Sequence, residues 1–259
     1  EFGSGVNIVV GPNGSGKTNL LEAIQMVAIG GSYRASDNEM LGFGQEWFRL
    51  DALLNENDAS RVVKFQTVPK HQSSYEIDEK KISRLLERYL LPVVIFEPNH
   101  LQLLHSSPDL RRAYLDDILE YTMPGYRSFR KNYRRVLFQR NSLLKRGRVS
   151  TEEMFPWNLR LSELGAVMSR ARAELCEKLS KELEQLYKTL STSDETVTIT
   201  YKPQFPVDKY ETTLMHHLEK SLDHEMMRGF TAYGPHREDF ITMFSGRLAK
   251  ELASRGETR

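Results

Sequence analysis

Asn7, Ile8, Val9 and Val10 make a short, mostly apolar run that predicts a strand, and a glycine-rich turn follows it. From Lys17 to Ile29 the apolar residues Leu20, Leu21, Ile24, Val27 and Ala28 recur at helical spacing. Gly30 and Gly31 stand where a helix would be capped. Residues 47–54, 61–68 and 74–77 alternate or are rich in β-formers, which predicts antiparallel strands. Residues 92–96 form a solid apolar run of the kind found in buried strands.

The pattern changes near residue 106. Residues 107–120, 126–146 and 156–190 read as long helices. In the second, Phe129, Tyr133, Val136, Leu137 and Leu144 form one stripe. In the third, leucines and small apolar residues recur at three and four from Leu161 to Leu186. A strand at 196–201, a helix at 212–227 and a strand at 240–244 ending in a Ser245-Gly246 turn complete the pattern. The expected fold is α/β: a domain over residues 1–105 interrupted by a mainly helical insertion over 106–230. The first domain resumes over 231–259.

Charge and composition narrow this picture only in places. The 259 residues carry a net charge of +1, so any attraction to nucleic acid must come from local clustering. Cys176 is the single cysteine, which excludes an intramolecular disulfide and a thiolate zinc cluster and suits a cytoplasmic setting. No run of about 18 apolar residues is present, so no membrane span is expected. Glu1 to Gly5 is neither a signal peptide nor a start methionine, and the Arg259 end is equally abrupt; both suggest a piece of a longer protein.

The strongest chemical signal is Gly11-Pro12-Asn13-Gly14-Ser15-Gly16-Lys17-Thr18, which matches G-x-x-x-x-G-K-[ST] at every fixed position. It also lies between a predicted strand and a predicted helix. In such a loop the glycines let backbone N–H groups turn toward phosphate oxygens, and the helix N-terminus adds partial positive charge. Lys17 would reach the β- and γ-phosphates and Thr18 would ligate Mg²⁺. A glycine-rich turn that binds nothing is the plain alternative. No N-K-x-D loop is present, which favours ATP over GTP.

Asn13-Gly14-Ser15-Gly16 is similar to the loop of ABC-type ATPases, the SMC group included. Further motifs follow in order. They are Gly31-Ser-Tyr-Arg34, Phe96-Glu-Pro98 and Pro108-Asp-Leu-Arg111-Arg112, then Tyr133-Arg-Arg-Val136 running into Gln139-Arg140-Asn141. Trp157-Asn158, Gly234-Pro-His236-Arg237-Glu238-Asp239 and Ser254-Arg-Gly256-Glu257 come last. In this order and spacing the chain resembles the RecF family from end to end. The resemblance implies an ABC-type head with a helical lever, an ATP-dependent homodimer, and binding to double-stranded or gapped DNA. It also implies work with a RecR-like mediator that loads recombinase. Ser254 and Gly256 would form the signature loop gripping the γ-phosphate held by the other subunit, although Arg255 and Glu257 depart from the glutamine-rich form of that motif. The Walker B aspartate, catalytic glutamate and switch histidine would lie beyond Arg259.

Weaker signals each have a plain reading. Val93 to Glu97 could pass for a Walker B strand, but Pro98 follows directly and no second acid is adjacent. Residues 106–148 carry eleven Lys/Arg against four Asp/Glu, a net +7. Arg130, Arg134 and Arg135 are the candidate DNA contacts there, with a solvated helix face or a salt-bridged interior face as the alternatives. Arg34 is a candidate link between DNA and ATP, or a structural arginine. His236 sits after a turn, where a structural hydrogen bond is the simpler role. Three function classes remain open: a DNA-dependent ATPase, a module that binds nucleotide only to assemble, and a transport-type ABC subunit. The last predicts an L-S-G-G-Q loop and a shorter insertion, and this chain has neither.

Overall fold

The computed structural model describes residues 1–32, 36, 38–54, 59–96, 103, 107–190 and 195–249. They form two compact units, Glu1–Ile95 and Phe96–Arg259. The division falls ten residues before the expected 105/106 boundary. Residues 231–249 take their strand and side-chain partners from the second unit.

In the first unit, helix α1 (Lys17–Ile29) has the bounds that its apolar spacing predicts. Gly30 ends it in the left-handed region at φ 79°, with its N–H donating to Met26 O. The strands β1 (Trp47–Leu54), β2 (Ala59–Gln66), β3 (Gln72–Ile77) and β4 (Lys80–Ile82) form an antiparallel sheet in that order. Val63, Tyr75 and Leu85 make its small core. The buried Arg61 of β2 fastens α1 to the sheet. It donates to Val27 O at 2.8 Å and Ala28 O at 3.3 Å, last-turn carbonyls that a helix end leaves open, and to Tyr89 O at 2.6 Å.

Two expected strands do not form. Residues 7–10 and 92–96 lie outside regular structure. Val6, Ile8 and Val10 are 93 %, 81 % and 85 % exposed, and Val94 is 95 % exposed. A strand exists only through bonds to a neighbouring strand, and no strand among the described residues pairs with either run.

The second unit is mainly helical. Its helices are α2 (Pro108–Thr122), α3 (Tyr126–Leu144), α4 (Thr151–Leu190), α5 (Tyr210–Lys220) and α6 (Leu222–Arg228). The single helix expected over 212–227 is thus two, parted at Ser221. Helix α4 also begins a turn and more before the expected start at Pro156. Ser150 and Glu153 form a capping box, Glu153 N to Ser150 Oγ at 3.3 Å and Ser150 N to Glu153 Oε2 at 3.0 Å, and Pro156 lies inside the helix. A three-stranded antiparallel sheet, β5 (Val197–Lys202), β6 (Asp239–Phe244) and β7 (Arg247–Leu248), packs on α4. Ser245 and Gly246, at φ 47° and 78°, form the tight turn between β6 and β7. Leu115, Tyr133, Leu161, Leu164, Leu214 and Phe240 are among the core residues where helices and sheet meet.

Candidate functional site

The loop Gly11–Thr18 runs directly into α1. Gly14 and Gly16 have φ of 81° and 88°, where only glycine is unstrained, and a Cβ on Gly11 would sit 2.8 Å from Ser15 Oγ. Ser15 N donates to Pro12 O at 3.3 Å, closing the turn. Gly16 is the N-cap and has no side chain to occupy the first N–H groups of α1. Lys17 Nζ folds back over the loop and donates to Gly11 O and Pro12 O, both at 2.8 Å. Backbone donors at a helix start and an ammonium brought across the loop mouth make a cradle for a polyphosphate. Thr18 is in the first turn of α1, where its hydroxyl is the candidate Mg²⁺ ligand. Among the described residues no cluster of three His, Cys, Asp or Glu could hold a metal without phosphate.

Arg34, Ser254, Gly256 and the alternative Walker B residue Glu97 lie outside the described residues.

Helix α3 divides its cations in two. Arg130, a candidate DNA contact by sequence, is buried: its guanidinium lies 3.1 Å from Asp116, 2.7 Å from Asp117 and 2.8 Å from Glu120. The expectation for Arg130 is thereby corrected, because a side chain held by three carboxylates is committed to joining α2 to α3. Arg140 is fully buried, 2.7 Å from Glu225 Oε2 and donating to Asn158 Oδ1 and Thr231 Oγ1. Burial pushes its pKa below the usual arginine value despite the carboxylate beside it. Arg134 and Arg135, by contrast, are exposed on the far side together with Lys131 and carry no ion pair among the described residues. Arg127 is also exposed but sits 3.4 Å from Glu120.

In the Gly234–Asp239 motif His236, Glu238 and Asp239 are tied into the fold. Arg111 bonds the Asp239 carboxylate at 2.8 and 2.6 Å, and Arg112 donates to Glu238 O at 2.6 Å. The buried Glu238 accepts from Tyr201 and Tyr210 hydroxyls, both at 2.5 Å, and from Gln204 N at 2.9 Å. Arg172 clamps Asp116 at 2.8 and 3.0 Å and donates to Pro235 O at 2.6 Å. His236 bonds the Tyr133 hydroxyl at 2.7 Å and Thr231 O at 3.1 Å, and burial lowers its pKa to about 4. It is a neutral hydrogen-bonding side chain, as the plainer reading expects. The arginine–carboxylate pairs were missed by sequence reasoning. Their partners lie up to 128 positions apart.

A family model described as an AAA domain matches residues 1–198. The chain is 32 % identical over 268 residues to the DNA replication and repair protein RecF of Heliobacterium modesticaldum, covering 100 % of this chain and 72 % of that protein. It is 32 % identical to the RecF of Moorella thermoacetica, covering 98 % and 69 %. It is 31 % identical to the RecF of Geobacter sp. strain M21, covering 99 % and 72 %. Two solved structures of the recombination mediator RecF, described as its ATP and ATPrS forms in the RecFOR pathway, align with TM-scores of 0.87 and 0.88. Each is 27 % identical and covers 100 % of this chain and 72 % of the other.

Proposed function

Because this chain belongs to the RecF family of DNA replication and repair proteins, we propose that it is the nucleotide-binding, DNA-engaging part of a recombinational repair factor. The loop Gly11–Thr18 binds ATP, its backbone N–H groups and Lys17 holding the β- and γ-phosphates and Thr18 the Mg²⁺. Lys17 exchanges its two carbonyl bonds for phosphate oxygens as nucleotide enters. Bound ATP supplies a γ-phosphate that a second subunit can recognise. Ser254 and Gly256 of that subunit would grip it, a hydroxyl and an amide being the donors suited to the task, and so couple nucleotide to dimerisation. Arg134 and Arg135, with Lys131, meet the phosphates of double-stranded or gapped DNA. A RecR-like mediator is the partner, and loading of recombinase on gapped DNA is the outcome.

The observation that carries this reading is the complete phosphate loop at the start of α1, in a chain similar along its whole length to RecF structures described as nucleotide forms. Calorimetry with ATP and Mg²⁺ tests it. Lys17→Ala should reduce ATP affinity below detection, since the charge on the β- and γ-phosphates is lost. Unchanged affinity in the variant would remove the loop from the nucleotide site.

A further inference from the structure

Phe138 stands on the exposed face of α3 and is 67 % exposed. Arg134 and Arg135 precede it by one turn, Lys131 by two, and Lys145 follows by two. The helix has no acidic residue over its whole length. A second aromatic ring, Phe230, lies past the end of α3. Thr231 N donates to Asn141 Oδ1 at 2.8 Å, which holds Phe230 beside the last turn. There Arg237 and Arg228 lie over the Phe230 ring at 4.8 and 6.0 Å.

An aromatic ring set among cations suits few partners. An apolar protein surface that covered Phe138 would also bury the neighbouring cations without counter-charge, which costs several kcal/mol each. A nucleic acid satisfies both, with phosphates for the cations and the flat face of a base for the ring. Bases inside a duplex are already stacked on each other and offer no free face. We propose that Phe138 is a base-stacking residue, and that this face of α3 seats an unpaired stretch of DNA where it meets duplex. The inference rests on the DNA-binding reading above and adds to it the residue that reads the unpaired part of a gapped site.

Fluorescence anisotropy of labelled oligonucleotides tests the proposal, with blunt duplex and duplex bearing a single-stranded overhang as probes. Phe138→Ala should weaken overhang binding by about five- to a hundredfold, the range for one lost base–aromatic stack. It should leave blunt-duplex affinity and the salt slope unchanged. Phe138→Trp should keep overhang affinity, and its indole fluorescence should be quenched by overhang DNA and not by blunt duplex. The charge reversal Arg134→Glu with Arg135→Glu should weaken both probes and flatten the salt dependence by roughly one unit per lost phosphate contact. If the charge reversal acts as stated while Phe138→Ala binds both probes like the parent, stacking is wrong and the DNA-binding reading stands. If the charge reversal changes nothing, the DNA-binding reading itself fails. Loss of a RecR-like partner in Phe138→Ala with intact overhang binding would also overturn the stacking role.

Discussion

The buried arginines show how far a residue's type is from its role. Arg130 lies three positions before Tyr133 and four after Tyr126, so it falls on the inward stripe of α3 that the apolar residues outline. That placement was legible from spacing. Arg130 takes the salt-bridged alternative that the charge run leaves open, and spacing alone does not say which arginine takes it because the carboxylates that neutralise Arg130 come from α2. The role of His236 was legible from the turn before it. Its pH behaviour follows from burial. With a folded pKa of about 4 against about 6.5 unfolded, the histidine takes up a proton on unfolding, so stability should fall as pH drops from 6.5 to 4. The slope contributes up to about 3 kcal/mol over that window. His236→Asn should flatten it, as read by urea denaturation at pH 7 and pH 4.5. An unchanged pH profile in the variant would mean that His236 is not the group responsible.

At the scale of elements, α1 was readable to the residue because a helix makes its own hydrogen bonds and shows its face in the sequence. The four-stranded sheet was readable in three strands because its alternation matches its pairing. The runs at 7–10 and 92–96 misled for the opposite reason: apolar character marks a strand's readiness to pair, while the pairing depends on other segments. Helix α4 was misjudged because Pro156 reads as a first-turn proline, whereas the Ser150–Glu153 box sets the true start. The bond between α3 and α6 rests on Arg140 and Glu225, both fully buried. Arg140→Met should destabilise the protein by about 3–5 kcal/mol, since it leaves a buried carboxylate without its cation. Adding Glu225→Leu should restore most of that loss. Chemical denaturation of the single and double variants gives the comparison, and a double variant as unstable as the single would show that the pair's other bonds dominate.

For the whole molecule, the family was legible because many short motifs kept their order along the chain, while the packing that uses them was not. The second unit holds its core and its arginine–carboxylate clamps within itself. Residues 107–249 expressed alone should therefore melt as one cooperative transition, indifferent to ATP, by circular dichroism. A broad or absent transition would show that the first unit is needed for its stability. The way the cations of α3 are sorted has a further effect on encounter. With a net charge of only +1, the chain has almost no monopole to draw a polyanion from afar. Its cations instead give the second unit an electric direction, felt only within a screening length of about 8 Å at physiological salt. On the proposed reading, a strand of DNA arriving by chance would turn the molecule before it held it, and most collisions on other faces would end without capture.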